Sequence, residues 1–117
     1  MRILLIFTSL AEGAFGLLLC AAPQLIGRLL IGREVVGAAS TAARIAGLAL
    51  VVLGVICWPR GDLTRGFRWM LLWSIFATLL LIGLGASGIA GVLLWPAVIV
   101  HAAITILLLW SRRSLSA

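Results

Sequence analysis

Four apolar runs constrain this chain more than anything else in it: residues 3–22, 36–58, 69–86 and about 92–110. Each is close to the ~20 residues that an α-helix needs to cross ~30 Å of hydrocarbon. In such a medium unpaired backbone N–H and C=O groups are prohibitive, and a helix satisfies its own. The expected fold is therefore all-α. We expect a polytopic membrane protein with four transmembrane helices in an up-down bundle, forming one domain over residues 1–117. Composition agrees, since 64% of residues are hydrophobic and 10% charged. A soluble domain has ~45–50% apolar and ~25% charged residues.

The segments between the runs fit this plan. Residues 23–34, PQLIGRLLIGRE, are too short to span; Pro23 suits a first helical turn, and Leu25, Ile26, Leu29 and Leu30 follow helical spacing. A short interfacial helix between helices 1 and 2 is the expectation. Residues 59–68, PRGDLTRGFR, read as a hydrophilic turn, and residues 87–91 as an uncharged one. The first run differs from a secretory leader in its minimal amino-terminal charge, in the interruption at Glu12 and in its length. Leu18-Leu19-Cys20 is similar to a lipoprotein cleavage site, but Leu19 is too large for the position before the cysteine, so no cleavage is expected.

The basic residues are nine arginines, scattered between the spans with no patch that would suit nucleic acid, and they leave a net charge of +6. Arg2, Arg60, Arg65, Arg68, Arg112 and Arg113 fall on one side of the bundle, Arg28 and Arg33 on the other. That asymmetry places both termini and the 59–68 loop in the cytoplasm. Trp58, Trp69, Trp73 and Trp110 would then sit near the cytoplasmic interface, and Trp95 nearer the outer one.

Few polar side chains lie inside the runs, which makes them the candidate site. An ionisable group at membrane depth usually faces the interior and has a partner. At ~1.5 Å rise per residue, Glu12 lies ~15 Å from the outer end of its helix, Arg44 ~8–10 Å, Thr78 ~12 Å and His101 ~13–15 Å. Glu12, Arg44, Thr78 and His101 thus form one polar layer, a structural or ligand-binding cluster. A Glu12–Arg44 salt bridge fixing how helices 1 and 2 dock is the first expectation. The alternatives for Glu12 are a carboxyl bonded to Thr8, Ser9 or a backbone carbonyl, and a carboxylate that binds a proton or substrate. Arg44 could instead reach the outer interface, or hold an acidic lipid head or a quinone. His101 reads first as a hydrogen-bonded core residue, with Thr105 one turn away and Ala97 leaving room on its face. Haem would need a second strong ligand, and the chain has one histidine. Ser40, Ala43, Gly47 and Gly54 step by three, four and seven along the second run, a seam for close helix packing.

Other chemistry finds no support. Cys20 and Cys57 would lie on opposite membrane faces, too far apart for a disulfide, and no cluster of Cys or His has metal-ligand spacing. Gly83, Gly85, Gly88 and Gly91 form no phosphate loop, and a Ser74–His101–Glu12 triad exists only on paper. No catalytic residue is assigned.

The stretch Leu17-Leu18-Leu19-Cys20-Ala21-Ala22-Pro23-Gln24-Leu25, followed by Ala43-Arg44-Ile45-Ala46-Gly47 and Leu53-Gly54, resembles small bacterial four-helix inner-membrane proteins of unknown function. The general layout is also similar to the DoxX-like group, whose members are linked to quinone-associated oxidation and to membrane complexes. The resemblance implies a bacterial inner-membrane location and transfers no catalytic residue. The leading functional expectation is a non-enzymatic accessory or scaffold subunit, packing along the small-residue seams in a membrane complex or homo-oligomer. The rival is a binder or carrier of a quinone, lipid or proton through the Glu12, Arg44 and His101 cluster. A third reading is a membrane oxidoreductase subunit that uses a partner's cofactor.

Overall fold

A computed structural model describes residues 2–89 and 91–116, with backbone only for 113–116. Met1, Ala90, Ala117 and the side chain of Arg113, which enter the expectations above, lie outside the described residues. Five helices follow in order: α1 (Arg2–Ala21), α2 (Pro23–Ile31), α3 (Ala38–Cys57), α4 (Thr64–Ala86) and α5 (Leu94–Ser116). Among the described residues there is no strand. Four of the helices, all but α2, are long and apolar enough to cross a membrane. No more than 28% of any of the four spans is buried inside the bundle, so most of their side chains face outward. Apolar outward faces suit a hydrocarbon solvent.

α1 and α3 pack most extensively, through a seam that the sequence spaces as a heptad. Leu5, Ser9, Glu12 and Gly16 are buried on α1, and Gly47, Leu50, Gly54 and Cys57 on α3. Steps of three and four keep one narrow stripe facing the partner. Gly47 sits against Gly16 and Cys20, and Gly54 against Ser9 and Gly13, so the two backbones nearly touch. Ser40 and Ala43 continue the stripe but are only half-buried. α4 and α5 form a second pair, in which Gly85 leaves room for the Trp95 ring. Leu5, Cys57, Phe67, Met70, Ile104 and Leu108 then close one core at the end shared by all four long helices.

The helix boundaries differ from the expected ones where local chemistry overrides hydropathy. Pro23 has no N–H to continue the α1 ladder, so α1 stops at Ala21 and α2 restarts at once. α2 ends at Ile31 rather than near 34, because Gly32 takes the left-handed conformation (φ 75°). Its last carbonyls are not left bare. The Gly91 N–H donates to Leu30 O at 2.8 Å and the Leu93 N–H to Leu29 O at 2.7 Å, so the α4–α5 turn caps α2. Arg28 and Glu34 pair across the α2 terminus at 2.6 Å, both well exposed.

α4 begins at Thr64, five residues before the expected start at 69, and takes in half of the supposed 59–68 turn. Asp62 Oδ1 accepts the Thr64 N–H at 3.0 Å, a local side-chain turn that leads the chain into the first residue of α4. That bond holds the Asp62 carboxyl below its ordinary value, with a smaller contribution from Arg65. A depressed carboxylate contributes stability above its unfolded pKa and loses it as pH falls through the lower folded value. The Thr64 amide resonance will therefore titrate with a midpoint below the ordinary aspartate range. Asp62→Asn will abolish that titration, and a midpoint at the ordinary value would refute the bond.

Candidate functional site

The only carboxylate within the four long helices finds its partner on the last of them. Glu12, at the middle of α1, is buried at 6% exposure. Its Oε1 lies 3.4 Å from Nε2 of His101 on α5, whose side chain is 19% exposed. His101 is fixed by its own helix. Its Nδ1 is 2.8 Å from the Ala97 carbonyl one turn earlier, and its backbone carbonyl accepts the Thr105 hydroxyl at 2.8 Å.

This geometry determines what the pair can hold. A carbonyl only accepts, so Nδ1 carries a hydrogen, and Nε2 is either a lone pair or the second N–H of an imidazolium. Facing Glu12, a lone pair requires a protonated carboxyl, and an N–H suits a carboxylate. Both favourable states contain one proton between Oε1 and Nε2. Withdrawing it leaves a carboxylate against a lone pair in a buried setting, which costs free energy. The contact is thus a one-proton binding unit near mid-helix depth.

Further polar groups line the same interior. Ser9 on α1 and Ser74 on α4 are buried, at 4% and 1% exposure, and both hydroxyls have unused hydrogen-bonding capacity. Ser9 precedes Glu12 by three residues and shares its face. Thr8 is fully buried, and its hydroxyl donates to Leu4 O at 2.9 Å and to Leu5 O at 3.2 Å.

The expected four-member layer resolves into separate contacts. Arg44 does not pair with Glu12; its guanidinium donates to the Cys20 carbonyl, and the Cys20 thiol donates back to Arg44 O at 3.2 Å. The reason is the Pro23 break. α1 has no basic residue in its last turn, and Arg44 supplies one from α3, where the helix dipole favours a cation. Arg44 is also exposed, whereas Glu12 lies eight residues, about two turns, along α1 from Cys20. Thr78 is half-buried and donates its hydroxyl to Ser74 O at 2.7 Å, so it too stays on its own helix. Of the seam residues, Gly47 and Gly54 are consumed inside the chain by α1. Cys20 and Cys57 are free thiols, one at each end of the α1–α3 seam.

Sequence reasoning identified Glu12 and His101 individually by their cost at membrane depth, but gave Glu12 the wrong neighbour. No spacing rule joins residue 12 to residue 101, because that contact depends on how the two helix pairs dock. Ser74 appeared in the sequence only within a Ser74–His101–Glu12 triad drawn on paper, with no base arranged to activate it. Comparison with protein-family models, with curated proteins and with solved structures yields no match, so the functional reading of Glu12 and His101 rests on their own geometry.

Proposed function

We propose that this chain is a multi-pass bacterial inner-membrane protein whose Glu12–His101 pair binds and releases a proton midway across the bilayer. In this reading the four long helices form an up-down bundle with both termini and the 59–68 segment cytoplasmic, as the arginine asymmetry favours. The observation that carries the proposal is the 3.4 Å contact between Oε1 and Nε2, with Nδ1 committed to Ala97 O. A structural pair would keep that proton at every pH, whereas a proton-coupled binder or carrier exchanges it. The unused hydroxyl of Ser9, three residues before Glu12 on the same face, adds hydrogen-bonding capacity for a small polar ligand or water.

The test is infrared difference spectroscopy of the chain in lipid, stepped between about pH 5 and 8. A carboxyl or imidazole band that changes with pH, and that is lost in Glu12→Gln and in His101→Gln, is the expected result. A spectrum with no pH-dependent carboxyl or imidazole band refutes the proposal.

A second reading, an accessory subunit packing in a membrane complex or homo-oligomer, is favoured by one observation. Ala42, Ala46 and Ala49 are all exposed on α3 and spaced four and three apart, a small-residue face on which another helix could approach closely. Gly47 and Gly54 cannot serve this purpose, since α1 covers them.

A further inference from the structure

We propose that the arginine-rich end of the bundle binds an anionic lipid carrying two phosphates joined by a short hydroxyl-bearing linker, seated across twin clefts that share Arg65. The inference rests on the membrane placement alone and not on the proton pair, so its failure leaves the Glu12–His101 reading untouched.

Two clefts of about 290 and 310 Å³ adjoin at the start of α4, and both are lined by Asp62 and Arg65. The first continues along Arg68, Trp69 and Leu72; the second runs past Arg60 and Trp58 to Leu5 and Ile56. Each cleft therefore has a cationic rim and an apolar floor, the order in which a phospholipid presents phosphate and acyl chain. Trp58 and Trp69 are 39% and 51% exposed, and amphipathic rings of this kind settle at headgroup level.

The charges at the rim are available. Arg60, Arg65 and Arg68 are exposed, and among the described residues none of them has a carboxylate within 4.0 Å. Asp62 is the one acid between them, and its Oδ1 is occupied by the Thr64 N–H. Guanidinium groups match phosphate oxygens bidentately, and basic pockets at helix ends bind lipid heads with more than one charge.

Asp62 is what favours two phosphates over one. Its carboxylate stands at the wall common to both clefts, where a single phosphate on Arg65 would meet like charge. A lipid with two phosphates places one in each cleft, by Arg68 and by Arg60, with Arg65 between. The linker then lies opposite Asp62, and a linker hydroxyl can donate to the carboxylate. The acyl chains descend along the exposed Leu72 on one side and the exposed Ile56 on the other.

The experiment equilibrates the full chain in mixed micelles holding diphosphatidylglycerol, phosphatidylglycerol and phosphatidylcholine at equal phosphate, then counts retained lipid by native mass spectrometry. Diphosphatidylglycerol will be retained about tenfold over phosphatidylglycerol, the gain expected when a second phosphate meets its own arginine. Arg65→Gln will bring the two anionic lipids to parity, while Arg28→Gln at the opposite end will leave the preference intact. Equal retention of the two anionic lipids by the unaltered chain overturns the two-phosphate site, whether or not Arg65→Gln folds. Retention of phosphatidylcholine at the same level overturns any anion site. Displacement of the lipid by inorganic phosphate at equal phosphate concentration shows a free-anion site and overturns the lipid assignment.

Discussion

A Gly47→Leu chain will fail to dock its first and third helices. A Cβ at Gly47 would lie 2.5 Å from the Gly16 carbonyl oxygen and 2.9 Å from the Cys20 backbone nitrogen. Both obstacles are backbone of a facing helix, so no rotamer change relieves them. Small-to-large changes in a packed interior cost ~1–3 kcal/mol when side chains can adjust. Here the helices must separate, so the loss will be about 3 kcal/mol or more. It will also displace Arg44 from the end of α1, one turn away on the same helix. Gly83→Ala is the matched control, since a Cβ there meets nothing within 4 Å. Helix propensity makes that change neutral or slightly stabilising. Unfolding in mild detergent, followed by circular dichroism, distinguishes the two; equal stability of both variants would refute the close seam.

The second large effect concerns the buried pair. Removing one member of a buried charged or hydrogen-bonded pair leaves the other uncompensated, at a cost of ~3–5 kcal/mol, whereas replacing both with apolar groups is often neutral or stabilising. His101→Leu will therefore destabilise the bundle by about 3 kcal/mol, and adding Glu12→Leu will recover most of that loss. The cycle over residues 12 and 101 will show a coupling of ~0.5–3 kcal/mol, while Glu12→Leu with Arg44→Met will be additive within ~0.5 kcal/mol. The reverse pattern, coupling with Arg44 and additivity with His101, would return Glu12 to the partner that hydropathy and loop length suggested. The apolar double variant will also lack the pH-dependent carboxyl or imidazole band, which separates a folded protein from a functional one.

How far the sequence alone could reach depends on the range of the interaction concerned. The four apolar helices, the break at Pro23 and the interfacial segment follow from local composition and spacing, and the structure contains helices at each place. The Gly47 and Gly54 positions were legible because small residues at heptad steps leave few options for a helix that must pack. The Asp62 turn into α4 was legible in principle, because an aspartate side chain readily accepts the N–H two residues on, but the whole of 59–68 read as a hydrophilic turn. The partner of Glu12 was not legible. Two ionisable residues close in helix order look like neighbours, yet the proline break gave Arg44 a nearer acceptor and turned it away. The second cleft at the start of α4 likewise arises only when the α3–α4 turn meets Leu5 of α1.

The fastening of α2 to the Gly91–Leu93 turn has a mechanical consequence. One end of α5 is moored to a short rod at the rim of the bundle, and His101 rides on α5 two turns beyond that mooring, facing Glu12 on a different helix. A displacement of that rod therefore acts first on the start of α5, the helix that carries His101.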